Sequence, residues 1–190
     1  MKTHLWCLCG WNKNSRRLPE NLIQKIIFFV ASKNHLEMDE LLQYEKMPRD
    51  KYIQLYESVG AAMEVYNILH RGMEEAIYQE ALEMELTSRN IPFAPQQTLY
   101  TWYKGKRLKK EYIADIVTYS DVVLELKSVS KIITEHRAQL FNYLRISKSK
   151  CGALINFGDK SFYCERYWFV DRLDEFLLLT KDNLNNIVSN

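Results

Sequence analysis

The sequence predicts an α/β fold: a central mixed β-sheet flanked by helices, with an N-terminal helical appendage. Two observations lead there. Apolar residues recur at helical spacing in two consecutive stretches after residue 50, and β-branched and aromatic runs follow them, split by one more helical stretch. The resulting order, ααβββαββα, mixes helices and strands without strict alternation, which favours a sheet with both parallel and antiparallel neighbours.

The elements follow in chain order. Residues 1–50 read as an appendage. It holds one expected helix, Glu20 to Ala31 behind Leu18-Pro19, and a shorter one, Met38 to Lys46, before Pro48 breaks the chain. Every recognisable pattern begins after Met47, which makes that residue a candidate start of a shorter protein. From Tyr52 to Leu69, the residues Leu55, Val59, Ala62, Met63, Val65, Tyr66 and Leu69 keep helical spacing. Gly72 interrupts. A second helix, Met73 to Arg89, is expected to turn Ala76, Ile77, Ala81, Leu82 and Leu86 to one side, and Asn90-Ile91-Pro92 ends it. A strand from Thr98 to Tyr103 leads through Lys104-Gly105-Lys106 into a hairpin, EYIADIVTYSDVVLELKSV. A helix from Glu135 to Ile146 comes next. Strands Gly152 to Phe157 and Ser161 to Phe169 then join around Gly158-Asp159. The run from Val170 to Leu179 is predicted helical. The implied division is an appendage (1–50), one domain (51–170), and a C-terminal helix and tail (171–190).

Bulk properties bound the function. The chain has 190 residues, 47% of them apolar, enough for one cored domain and not for a disordered chain. A net charge of +2 neither demands nor excludes a polyanionic partner. The longest apolar helix candidate, Leu22 to Ala31, contains a lysine and is far too short to span a membrane. The opening HLWCLCGW lacks the form of a secretory signal. The expected location is therefore the cytoplasm, with no membrane partner. Of Cys7, Cys9, Cys151 and Cys164, only the C-x-C pair has a notable spacing, and it is weak as a metal signal; free structural thiols are expected.

The hairpin carries the chemistry. With the turn at Tyr119-Ser120-Asp121, Val117 faces Val123, Asp115 faces Glu125 and Ile113 faces Lys127. Directly opposite residues share a face, about 4.5–5.5 Å apart at Cβ. Asp115, Glu125 and Lys127 then converge, while Ala114, Ile116, Leu124 and Leu126 point the other way. Two opposed carboxylates repel, and one lysine offsets only part of that. A divalent cation would resolve the conflict; so would a solvated sheet face on which the three residues form a surface ion-pair cluster. Both readings stand at this level. Gln139 and Tyr143 share a helix face, with His136 one turn earlier, and Glu75 lies in the first turn of its helix. Lys104, Lys106, Arg107, Lys109 and Lys110, with Tyr100, Trp102 and Tyr103 among them, suit phosphate contacts and base stacking. They equally suit a lysine-rich edge that discourages aggregation.

Taken together, Gly72-x-x-Glu75-x-x-Tyr78, Asp115, Glu125-x-Lys127 and Gln139-x-x-x-Tyr143 resemble the GxxExxY family, a branch of the PD-(D/E)xK nuclease superfamily. YQEALEMEL, YKGKRL, the His136 to Leu144 run and LINFG match it as well, in order, over residues 52–168. The usual LGxG turn is reduced to Leu69-His70-Arg71-Gly72, Tyr66 stands where a histidine is common, and Ala114 replaces the proline before the aspartate. The resemblance implies a restriction-endonuclease-like core of αβββαβ type and a nuclease that hydrolyses nucleic acid, DNA ahead of RNA, with Mg²⁺ for which Mn²⁺ substitutes. It implies that Asp115, Glu125, the Leu126 carbonyl and Glu75 hold the metal. Lys127 would orient the attacking water or stabilise the transition state. Gln139, Tyr143 and His136 would shape the site, and Lys104, Lys106 and Arg107 would contact nucleic acid. The alternative it leaves open is a catalytically silent fold that binds nucleic acid or protein.

Overall fold

A computed structural model describes residues 45–171 and 173–189. Their elements are α1 (Arg49–Leu69), α2 (Glu75–Ser88), β1 (Phe93–Tyr103), β2 (Lys106–Thr118), β3 (Val122–Lys127), α3 (Thr134–Ser147), β4 (Cys151–Asn156), β5 (Tyr163–Val170), β6 (Glu175–Leu178) and the one-turn α4 (Leu184–Ile187). The helices expected before Pro48 lie outside the described residues, except for Glu45 and Lys46, which are not helical.

The six strands form one sheet in chain order, β1 to β6. Every neighbouring pair is antiparallel except β3 and β4, which are parallel. A parallel pair cannot close with a tight turn, so α3 makes the crossover between them. The expected mixed sheet flanked by helices is what the chain forms. Among the described residues no helix is long and apolar enough to cross a membrane.

The helices cover both faces of β3 and β4. On one face, Ser58 of α1 shares a buried hydroxyl hydrogen bond of 2.8 Å with Thr118, and Tyr78 of α2 stacks on Phe157 at 4.4 Å between ring centres. On the other, Leu140, Tyr143 and Leu144 of α3 pack with Val117, Val123 and Leu154. Strands β3 and β4 are buried along their whole lengths, which explains their near-continuous apolar runs.

Several expectations need correction. Met63 faces solvent rather than the core, and the buried stripe of α1 is Leu55, Ser58, Ala61, Ala62, Val65 and Tyr66. In α2, Ala76 and Ile77 are exposed; the helix buries only Tyr78, Leu82 and Leu86, one residue per turn. The run from Val170 to Leu179 is not a helix. Its centre is β6, paired to β5, with Phe176 stacked on Phe141 of α3 at 4.5 Å. A short apolar run fits either period, and here the open edge of β5 decides. The last element of the chain is instead the turn of helix at Leu184–Ile187, next to which Met47 bridges to Val188.

Candidate active site

The β2–β3 register is the expected one: Val117 pairs with Val123 and Ile116 with Leu124. The ladder ends there, so neither the expected pair Asp115 and Glu125 nor Ile113 and Lys127 are backbone partners. In the neighbouring β1, Gln96 has φ of 47° and the ladder to β2 skips the pair opposite Asp115, between Pro95↔Ile116 and Gln97↔Ala114. Ala114 packs with Val117 and Val123 in the core beneath α3 instead of pointing away from them. Where β2 leaves β3, the Asp115 side chain replaces the missing backbone acceptor: its Oδ2 accepts the Leu126 N–H at 2.8 Å.

Asp115, Glu125 and Lys127 do converge. Lys127 Nζ donates to Glu125 Oε1 at 2.5 Å and to the Leu126 carbonyl at 2.8 Å. Glu125 is fully buried, and its Oε2 has no hydrogen-bond partner in the protein, alone among the buried side-chain polar atoms of the described residues. Burial first, and then the Asp115 charge, push the Glu125 carboxyl up to about 8. Burial also raises Asp115, against the Leu126 hydrogen bond and the Lys127 charge. For Lys127, burial acts downward, but Glu125, Glu75 and Asp115 together outweigh it, and the ammonium is raised. The pocket is short of positive charge.

The exposed Glu75 is felt by all three groups as a charge. Among the described residues, however, no three His, Cys, Asp or Glu side chains gather closely enough to hold a metal by themselves. The assembled donors are two carboxylates and one carbonyl, a hard oxygen set suited to a small divalent ion that keeps several waters. The unpartnered Glu125 Oε2 fits such an ion.

The segment before α2 is held by Tyr78, whose hydroxyl donates to the His70 carbonyl at 2.6 Å and accepts the Met73 N–H at 3.1 Å. Gly72 has φ of 114°, open to glycine at no steric cost. Ser128 Oγ, just past β3, donates to the Met73 carbonyl at 2.8 Å, so the start of α2 is tied to the end of the acidic strand.

Gln139 and Tyr143 lie beside the acidic pocket on α3 and bond to each other at 2.9 Å. The Tyr143 phenol is raised by burial and then, against its bond from Gln139, by the Glu125 and Asp115 charges. His136 Nδ1 accepts the Ile133 N–H at 3.3 Å, a contact at the start of α3 rather than in the pocket. Lys104, Lys106 and Arg107 are not brought to the pocket either. They sit at the tip of the β1–β2 hairpin, and Arg107 lies eight positions along β2 from Asp115, up to about 26 Å in a fully extended strand.

Two groups of residues that sequence patterns passed over support the site. Asn156 Oδ1 accepts the Val129 N–H at 3.0 Å and the Gly158 N–H at 3.1 Å, while its Nδ2 donates to the Val129 carbonyl at 2.8 Å. This clamps the chain leaving Lys127 against β4. Arg137 of α3 donates to both oxygens of the buried Glu165 at 2.7 and 2.5 Å, and Tyr163 and Tyr167 donate to the same carboxylate. The available signal was a polar residue inside an apolar strand, Asn156 alone in ALINF and Glu165 beside Arg166 in YCERYWF.

A hairpin bearing two carboxylates and a lysine, at the centre of a mixed sheet covered by helices, defines a nuclease-like α/β protein. The sequence pattern of the PD-(D/E)XK nuclease superfamily matches residues 53–167, more than half of the chain, and the chain belongs to that superfamily. No curated protein matches it. Among solved structures it is similar to one titled "Crystal structure of SSO0001", at 21% identity and a TM-score of 0.40 over 48% of each chain. The chain spans about half the length of that protein, an overlap too partial to bear on function.

Proposed function

We propose that this protein is a nuclease of the GxxExxY branch that hydrolyses phosphodiester bonds in DNA with Mg²⁺, which Mn²⁺ can replace. The observation that carries the reading is the buried, unpartnered Glu125 Oε2 beside Asp115, a charge deficit with no stabilising role. Asp115, Glu125 and the Leu126 carbonyl would hold the ion, and Glu75 would reach it directly or through a water. A divalent ion bound there supplies a water of lowered pKa and neutralises charge on a phosphoryl oxygen. Lys127, turned from its present acceptors, donates to the attacking water or to the oxygens on which charge builds. Gln139 and Tyr143 form the wall along which the backbone is laid.

A second reading, a silent nucleic-acid-binding fold, is favoured by one contact: the Lys127 ammonium already occupies Glu125 Oε1 and the Leu126 carbonyl. Cutting of labelled single-stranded, double-stranded and branched DNA and RNA in Mg²⁺ and in Mn²⁺ separates the two. The expected result is metal-dependent cleavage of DNA that Asp115→Ala and Lys127→Ala abolish. Cleavage by both variants at the parent's rate would overturn the site; no cleavage by the parent under any condition would favour the silent fold.

A further inference from the structure

We infer that the β1–β2 hairpin and the groove at its base bind single-stranded nucleic acid; this deepens the proposed nuclease reading and rests on it. The hairpin projects past the sheet as an arm whose residues 102–111 are all exposed. Trp102 pairs across it with Arg107, and Tyr103 with Lys106. Cross-strand partners share a face, so each face of the arm carries an aromatic ring beside a cation. Trp102 and Tyr103 are 65% and 62% exposed. Among the described residues, Arg107 meets Glu111 at 3.7 Å, whereas Lys104, Lys106, Lys109 and Lys110 have no carboxylate partner.

Edge protection accounts for the lysines but not for the rings, since exposed aromatics work against solubility. A polyanion with planar groups accounts for both. Beyond the bulge at which the β1–β2 register shifts, Lys110 and Tyr112 are two apart in β2 and share one face, with the Lys110 ammonium 5.8 Å from the centre of the Tyr112 ring. That face runs into a groove of about 530 Å³ between β2 and α3, lined by Lys110, Tyr112, Gln139, Asn142 and Tyr143 and also by the carboxylates Glu111 and Glu135. Tyr112 meets Tyr143 edge-on at 6.1 Å, and Tyr143 in turn borders the acidic pocket. The path therefore leads from cations and rings, past amide side chains, to the site proposed to cut.

Strandedness follows from the rings. In a duplex the base faces are stacked on one another, and only phosphates meet an exposed ring. In a single strand every base offers a π-face. An anionic membrane would satisfy the arm but leave the amide-lined groove without a role.

The test uses the full chain in EDTA, so that binding is read without cutting. Fluorescence anisotropy would compare a labelled DNA strand of about 15 nucleotides, within the reach of typical single-strand sites, with its duplex and with phosphatidylserine vesicles. The strand is expected to bind at least about tenfold more tightly than the duplex, and Trp102→Ala and Tyr103→Ala each to weaken it about tenfold, as the loss of one stacked base would. Both variants should melt like the parent, and Lys106→Gln should reduce the salt slope by about 0.7. Equal or tighter duplex binding, unchanged affinity in both ring variants, or binding to vesicles alone would overturn the inference. Metal-dependent cutting by a protein that fails this binding test would refute the strand preference and leave the nuclease reading intact. Strand binding without cutting would do the reverse.

Discussion

Replacing Glu125 with Gln should stabilise the metal-free protein. The folded carboxyl titrates near 8 against an ordinary value of 4.5, and this is already net of the attraction to Lys127. The sign follows from proton binding: between those values the folded state holds more protons than the unfolded one, so stability is highest below 4.5 and falls as pH rises toward 8. The linkage cost at pH 7 is about 3 kcal/mol, and at pH 5 it is below about 1 kcal/mol. Gln removes the charge, keeps the shape, and leaves an oxygen to accept from Lys127. Urea unfolding in EDTA should therefore show the Glu125→Gln variant ahead of the parent by up to about 3 kcal/mol at pH 7, with the gap closing toward pH 5. Adding Mg²⁺ should raise the parent's stability and leave the variant's unchanged. A variant no more stable than the parent at pH 7, or a gap that does not shrink on acidification, would refute the charge-deficit argument.

Arg137→Ala strands the buried Glu165 carboxylate and should cost about 2–4 kcal/mol at pH 7, because breaking one side of such a pair leaves an uncompensated charge. Burial acts to raise Glu165, but the hydrogen bonds from Arg137, Tyr163 and Tyr167 and the Arg137 charge together outweigh it, and the carboxyl lies below 4.5. Its contribution is therefore present above 4.5 and lost as pH falls through the lower folded value, so parent and variant should converge in urea melts under acid. Gly158→Ala should destabilise by about 1–3 kcal/mol, since the added Cβ would lie 2.5 Å from the Val129 backbone. Thermal melts would read that loss, and a Gly158→Ala protein as stable as the parent would show that the close approach is not needed.

Local pattern carries a long way in this chain. The alternation of Val, Ile and Leu around Asp115, Glu125 and Lys127 makes a hairpin with polar intrusions, and the β2–β3 register follows from the turn position alone. The spacing of Gln139 and Tyr143 puts both on one face of α3, where they do bond. Those inferences succeed because strands repeat every two residues and helices every 3.6, so neighbours within an element are legible without knowing what packs on it.

The failures all involve a partner distant in sequence. Ile77 has the right spacing to face the core, yet α2 is covered on a narrow stripe only. Phe176 could belong to a helix or a strand, and the unpaired edge of β5 with the ring of Phe141 chose the strand. Ala114 is expected to point away from Val117 and Val123, yet it packs with both beneath Leu140 and Leu144 of α3. Asn156 and Glu165 looked like ordinary strand residues until Val129 and Arg137 were beside them. Local pattern was enough for the strand-and-helix plan, the superfamily and the three charged groups of the hairpin. Packing in three dimensions was needed to bury Glu125 with one oxygen unsatisfied, to seat Lys127 on its other oxygen, and to hold the basic hairpin tip away from both. Burial and charge balance depend on every element that closes over a side chain, and no local period records them.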